Sequence, residues 1–317
     1  MRNIQLSGGD TLPALGLGTW KSAPGEVGAA VREALRIGYR HIDCAPIYGN
    51  EHEIGPAIAD AVAAGEVTRD ELWITSKLWN DRHERKHVVP ALKDTLSALR
   101  LDRLDLFLVH WPVALKKGRS ATGNAKDYIS LAKLPLTETW QGMEAAQAAG
   151  LTRHIGVSNF SAKKLRELCA VARVRPAMNQ VELHPYLAQV DLLGTCRELG
   201  VAVTAYSPLG SQDRPAGMRA ADERNLLVDP LVVEVARGVG ATPAQVLIAW
   251  ALQRGTAVIP KSVNPKRLAE NFAAADLTLA PADMQRLESL DVGRRYVTGE
   301  FWTTGASPYT LANLWDE

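Results

Sequence analysis

Cysteine is scarce here. The 317 residues hold only Cys44, Cys169 and Cys196, with no CxxC pair. That excludes a disulfide framework and a thiolate metal site, and points to a reducing, cytoplasmic setting. Excess charge is missing too: Lys and Arg total 36, Asp and Glu 35, for a net charge of +1. No broad basic field is available to hold nucleic acid or an anionic membrane, so any bound anion must sit on a local cluster. No run approaches the roughly 18 continuous apolar residues of a membrane span. The start, MRNIQLSGGD, has no apolar segment of the kind a secretory signal carries. The remaining composition, 46% hydrophobic and 22% charged, is that of a soluble globular chain.

What is present is a rhythm. Residues 3–13, NIQLSGGDTLP, place Ser-Gly-Gly-Asp between apolar residues and predict a hairpin. Eight strand-like runs follow, at 14–20, 41–43, 72–78, 104–110, 154–159, 177–183, 201–209 and 257–262. Helical spacing separates them, over 25–38, 51–63, 86–100, 137–149, 161–172, 189–199, 230–239 and 243–253, with a last helix at 265–274. Several strands are apolar on both faces, as buried parallel strands should be. Eight βα units predict a single-domain (β/α)8 TIM barrel over 1–317, with an N-terminal β-hairpin cap. A doubly wound sheet would need a glycine fingerprint after its first strand. GLGTWK has Gly16 and Gly18 but Lys21 at the third position, and ATGNAK is no P-loop. Three stretches break the rhythm: 111–136, 208–229 and 291–317. Two follow strand C-termini, where barrels build active sites. The third carries Phe301, Trp302, Tyr309 and Trp315. All three are expected to be pocket walls, the tail lying over a substrate pocket.

The strand ends carry the chemistry. Asp43 and Tyr48 in HIDCAPIYGNE, Lys77 and His110 all fall at or just past the C-terminal end of a strand, so a barrel brings them to one point. A Tyr hydroxyl, with a reference pKa of about 10, is a poor acid near neutrality. A neighbouring ammonium favours the phenolate and pulls that value down. A carboxylate keeps the Lys charged in apolar surroundings. A His orients a carbonyl by a hydrogen bond. Each residue has a plainer reading alone: an ion pair tying two strands, a core histidine, a packing tyrosine. Together, just past the strands of a barrel, they read as a general acid aimed at a carbonyl oxygen. His83 and His87, four apart in HERKH on an expected helix, have ligand spacing but no third ligand, and read as a solvated face. No metal site is expected.

The chain resembles the aldo-keto reductase family, specifically its aldose and aldehyde reductase-like members, over nearly its whole length. GYRHIDCAPIYGNE, GVSNF with the later NQVELHP, and IPKSVNPKRLAEN match family signatures in order. The resemblance implies that Asp43, Tyr48, Lys77 and His110 form a catalytic tetrad and that NADPH is the cofactor. It places Lys261, Ser262 and Arg267 at the 2′-phosphate, with Glu270 and Asn271 at the adenine and Val263 also among the cofactor-binding residues. Ser207, Leu209 and Ser211 follow the pyrophosphate, while Lys21 and Asp213 close a loop over the cofactor. Tyr206 stacks on the nicotinamide, whose carboxamide meets Ser158, Asn159 and Gln180. Thr19 and Trp20 complete the cofactor set. Trp20, Trp79, His110, Trp111 and Trp302 are expected to line the substrate pocket, and Trp73, Trp140 and Trp250 to be core. The implied protein is a monomer that reduces aldehydes and ketones. Two other readings stay open at this point: a barrel that binds NADPH as a sensing or structural subunit, and a short-loop reductase of sugar acids.

Overall fold

Short apolar runs alternating with amphipathic stretches leave each strand to be covered by the helix that follows it. The computed structural model describes residues 2–119, 124–219 and 223–316. Residues 120–123, 220–222 and 317, which belong to the three expected wall stretches, and the start of ATGNAK lie outside the described residues.

The hairpin forms as expected: β1 (Asn3–Gln5) pairs antiparallel with β2 (Thr11–Pro13), Ile4 opposite Leu12. Next come β3 (Leu17–Gly18), α1 (Val27–Ile37), β4 (His41–Asp43), α2 (Glu51–Ala63), β5 (Trp73–Leu78), α3 (Arg85–Leu99) and β6 (Leu104–Val109). A small antiparallel pair, β7 (Ala114–Leu115) and β8 (Tyr128–Ile129), interrupts the rhythm. The alternation resumes with α4 (Leu136–Ala148), β9 (Thr152–Ser158), α5 (Ala162–Val171), β10 (Met178–Glu182), α6 (Val190–Leu199) and β11 (Ala202–Tyr206). It ends with α7 (Pro230–Gly238), α8 (Pro243–Gln253), β12 (Ala257–Val258), α9 (Pro265–Ala273), α10 (Pro281–Glu288) and α11 (Leu311–Trp315). The sequence pattern missed α10, the β7–β8 pair and the five-residue α11.

Eight strands run parallel in the order β12-β11-β10-β9-β6-β5-β4-β3. The ends of this sheet meet. Leu15 bridges Val258 and Gly18 bridges Lys261, both parallel, and Val258 N–H donates to Ala14 O at 2.7 Å. At this seam a Cβ on Gly18 would stand 2.6 Å from Ile259 O, so only glycine permits the approach. The result is the expected (β/α)8 barrel.

Local chemistry sets several helix starts. Asp229-Pro230, Thr242-Pro243 and Asn264-Pro265 each put a capping side chain before a proline at the first helical position. Those side chains accept from backbone N–H groups that otherwise lack partners, and proline there loses nothing. The hairpin plugs the barrel floor. Leu6 and Leu12 are buried against Trp73, Leu106, Leu108, Met178 and Ala257. Trp73, Trp140 and Trp250 are all buried, as expected of core residues. Among the described residues no single helix is long and apolar enough to cross a membrane; only α7 with α8, bent by 88°, pass on length and composition together.

His41 shows how tightly the lower barrel is packed. A Cβ on Gly16 would lie 2.6 Å from its ring. Nδ1 stands 3.2 Å from Pro13 O, and Nε2 stands 3.4 Å from the Thr75 hydroxyl. A neutral ring suits that pairing, one nitrogen donating to the carbonyl and the other accepting from the hydroxyl. Burial holds the pKa down at about 4. The unfolded chain binds this proton near pH 6.5, so the contribution of His41 is present above about 6.5 and is lost as pH falls towards about 4. His41→Asn should therefore give a shallower slope of unfolding free energy against pH in that window, measured by urea unfolding at a series of pH values.

Candidate active site

Alternate strand residues point into a barrel, so Trp73, Thr75 and Lys77 of β5 share a face. Trp73 sits in the floor and Lys77 two pleats above it, at the mouth. Asp43 ends β4, His110 follows β6, and Gln180 lies in β10. The Lys77 and Asp43 side chains are 1% and 2% exposed, with Nζ 2.5 Å from Oδ1. Lys77 also donates to Cys44 O at 2.9 Å and to the Tyr48 hydroxyl at 3.3 Å, so all three ammonium protons have acceptors. The second Asp43 oxygen accepts from Gln180 Nε2 at 2.7 Å. The Tyr48 ring meets His110 edge-on, 5.9 Å between centroids at 83°.

Electrostatics sort these groups. Burial opposes the Lys77 charge, but Asp43 and Tyr48 outweigh it and hold the ammonium above its usual range. Burial pushes the Tyr48 phenol up to about 12; Lys77 pulls it down and Asp43 adds to the rise. The pull of Lys77 is thus as expected, yet the net shift is upward because the hydroxyl is buried. Burial, then Lys77 and His83, keep His110 well below the usual imidazole range, so its ring is neutral. Its buried Nδ1 has no hydrogen-bond partner among the described residues.

Above these residues opens a cleft of about 670 Å³. Asp43, Tyr48 and His110 line it, and Lys77 stands behind them on a separate, smaller cavity. Every residue expected at the cofactor faces the large cleft. Lys261, Ser262, Val263 and Arg267 do so with Glu270 and Asn271, at the end of β12 and the start of α9. Lys21, Ser207, Leu209, Ser211 and Asp213 line it as well. Thr19, Trp20, Ser158, Asn159, Gln180 and Tyr206 complete the set. Lys21 Nζ lies 2.6 Å from Asp213 Oδ1 and 3.1 Å from Ser211 Oγ. Tyr206 donates to Asn159 Oδ1 at 2.7 Å, and Asn159 Nδ2 donates to His110 O at 2.9 Å. Ser158 Oγ donates to Gln180 O, and Thr19 Oγ1 to Asp43 O, both at 2.8 Å. Lys21, Asn159, Ser207 and Ser211 hold left-handed backbone, φ 62°, 62°, 50° and 48°. Such strain in non-glycine residues concentrates at ligand sites. The Arg267 side chain is exposed at the cleft and has no hydrogen-bond or ion-pair partner among the described residues.

The other wall is aromatic. Trp20, Trp79 and Trp111 line it, as expected. Trp302 does not: it is 1% exposed and packs one layer back, 5.8 Å from the Trp79 ring and 6.0 Å from Trp111. Its neighbour Phe301 faces the cleft instead, with Val297 and Ile47. The aromatic tail hinted at Phe301; nothing in the sequence singled out Val297 or Ile47. The reading of His83 also needs correcting. It precedes α3 and is buried, and burial pushes its pKa down to about 3. It therefore shares no solvated helix face with His87.

A long cleft over a tyrosine, lysine, aspartate and histidine, at the C-terminal mouth of a closed parallel barrel, is the architecture of a barrel oxidoreductase. Comparison with known proteins makes the class specific. The chain belongs to the Aldo/keto reductase family, whose sequence model matches residues 14–292. Aldo/keto reductase slr0942 of Synechocystis sp. is 54% identical over 317 residues, covering 100% of this chain and 97% of that one. Human aldo-keto reductase family 1 member A1 is 47% identical over 296 residues, covering 93% and 90%. The aldose reductase of Schistosoma japonicum superposes with a TM-score of 0.87 at 38% identity, over 98% and 99% of the two chains. A Bombyx mori aldo-keto reductase, solved in complex with NADP, gives 0.86 at 36% identity over 97% and 99%. Members of this family are oxidoreductases that reduce carbonyl groups with NADP(H).

The buried pair at the mouth can be tested directly. Asp43→Ala leaves the Lys77 ammonium buried without its counter-charge, which costs about 3–5 kcal/mol. Urea unfolding should show that loss. Asp43→Leu combined with Lys77→Met, which removes both charges, should recover part of it.

Proposed function

We propose that this chain is an NADPH-dependent reductase of aldehydes and ketones, of the aldehyde and aldose reductase type, with Asp43, Tyr48, Lys77 and His110 as its catalytic residues. The observation that carries the reading is the Tyr48 hydroxyl, tethered to a permanently charged Lys77 and set against a neutral His110 at one cleft mouth.

NADPH, when bound, supplies the hydride. Tyr48 gives its proton to the carbonyl oxygen. An alkoxide is a stronger base than a phenolate, so the transfer runs downhill even from a phenol held at about 12. Lys77 then faces the phenolate and stabilises it, while Asp43 and Gln180 keep Lys77 in place. Neutral His110 orients the carbonyl by hydrogen bonding and adds no charge that would compete with Lys77. The residues present fit the cofactor. Arg267 is a cation without a side-chain partner among the described residues, lining the cleft with Lys261 and Ser262, and charge-assisted bonds to a phosphate are strong. Lys21 and Asp213 latch the loop above. Substrate carbonyls enter between Trp20, Trp79, Trp111 and Phe301. Among the described residues Trp79, Trp111 and Phe301 share that wall with Ile47 and Val297, so uncharged apolar or aromatic carbonyl compounds suit it better than sugar acids. The whole chain acts as one domain and as a monomer. A reducing, cytoplasmic location suits its three free, buried cysteines.

Tyr48→Phe should lower kcat for a simple aromatic aldehyde by about 10²–10⁴-fold while NADPH still binds, read by NADPH oxidation and by fluorescence titration. Near-normal turnover would remove Tyr48 as the acid. Arg267→Ala should weaken NADPH roughly ten- to a hundredfold, as expected for losing a hydrogen bond to a charged group, and leave NADH nearly unchanged. Titration of both cofactors at two ionic strengths checks this. Equal weakening of the two would rule out the phosphate clamp.

A further inference from the structure

Two segments roof the cleft. One is the loop at 207–219, which carries Ser207, Ser211 and Asp213. The other is the tail from 291 onwards, which carries Val297 and Phe301. Among the described residues Tyr296 is one side chain through which they touch, and Met218 of the loop also packs against the cluster that holds Val297 and Trp302. Arg214, 1% exposed, organises the loop from within: its guanidinium donates to Gly210 O and Ser211 O, each at 2.9 Å, and pairs with Glu223. The same guanidinium lies over the Tyr296 ring, 4.9 Å from its centroid. A Cβ on Gly210 would stand 3.2 Å from that ring, and the Tyr296 hydroxyl donates to Arg224 O at 2.8 Å.

Below, Tyr296 is bolted to the barrel. Its N–H and that of Val297 donate to the two oxygens of Glu182, at 2.6 and 2.7 Å. Glu182 is fully buried, takes a further contact from His184 Nε2 at 2.8 Å, and stands beside Tyr206 in the β10–β11 register. The far end of the tail is pinned as well. The Tyr309 hydroxyl accepts from Ala114 N–H at 2.9 Å and donates to Ile129 O at 2.6 Å, while Lys164 Nζ donates to Asn313 O at 2.6 Å. With both ends held, a displacement at Tyr296 reaches the residues between them, including Val297 and Phe301.

We propose that Tyr296 is a positioning residue that couples the cofactor loop to the substrate wall, so that ordering the loop around the cofactor also sets the wall. This rests on the cofactor reading above. The ring contact with Arg214 and Gly210 is the link on the loop side. The Glu182 bonds at the next backbone step are the link on the wall side.

Amide hydrogen exchange with and without NADP+ tests the coupling. In the wild-type chain NADP+ should slow exchange at residues 207–214 and also, by about fivefold or more, at 297–303. In Tyr296→Leu the loop should still slow and the tail response should largely vanish. A merely structural role would loosen the tail equally in both states and leave the NADP+-dependent difference intact. Tyr296→Phe, which keeps the ring and loses only the hydroxyl bond, guards against misfolding and should retain most of the tail response. Kinetically, Tyr296→Leu should raise KM for a bulky aromatic aldehyde while kcat for a small one holds. A loop that responds beside a tail that does not, or a tail response unchanged in Tyr296→Leu, overturns the coupling alone. A loop that ignores NADP+ overturns the cofactor reading and the coupling with it.

Discussion

The buried ammonium of Lys77 is the constraint on which the rest of the mouth depends. A charge taken out of water is costly unless paired and fully hydrogen-bonded. Here the satisfaction comes from several elements at once: Asp43 and the Cys44 carbonyl at the end of β4, Tyr48 in the loop beyond, and Gln180 from β10 holding Asp43. Those partners stand at the right height only if the strands keep their register. The register is fixed by pairs such as Asp43 with Thr75 and Lys77 with Leu108. The floor beneath is apolar, sealed by Leu6 and Leu12 of the hairpin. The polar end of the barrel is therefore held up by an apolar one.

That arrangement also explains the character of Tyr48. The enclosure that fixes its hydroxyl raises its pKa, and Lys77 recovers only part of the shift. The gain lies in placement. The hydroxyl sits at one defined point, and a phenolate formed there would already have a cation beside it. His110 is held neutral by the same enclosure, so one desolvated environment sets the protonation of two neighbouring rings.

Much of this was legible beforehand, for identifiable reasons. Buried parallel strands read as apolar runs, and the Asx or Thr before Pro230, Pro243 and Pro265 marks helix starts by local bonds alone. The meeting of Asp43, Tyr48, Lys77 and His110 was legible because barrel topology gathers strand ends, so position along a strand substitutes for distance. What escaped depends on packing between segments far apart in sequence. Which of two adjacent tail aromatics faces the cleft is decided by Trp79 and Trp111, which accept Trp302 behind them and leave Phe301 in front. The burial of His83 is equally non-local, since charged neighbours in HERKH pointed to solvent. Net pKa directions depend on burial, which sequence spacing does not report.

The seam of the barrel has a consequence for how the chain is made. It joins residues 14–18 to residues 258–261, so no closed barrel exists until residue 261 has left the ribosome. Until then the growing sheet has an open edge at β3, with Gly18 and its neighbours waiting for a partner still to be synthesised. Contacts this distant in sequence slow folding, and unpaired strand edges invite association with other chains. The residues from 291 onwards emerge after the seam, onto a barrel that is by then able to close.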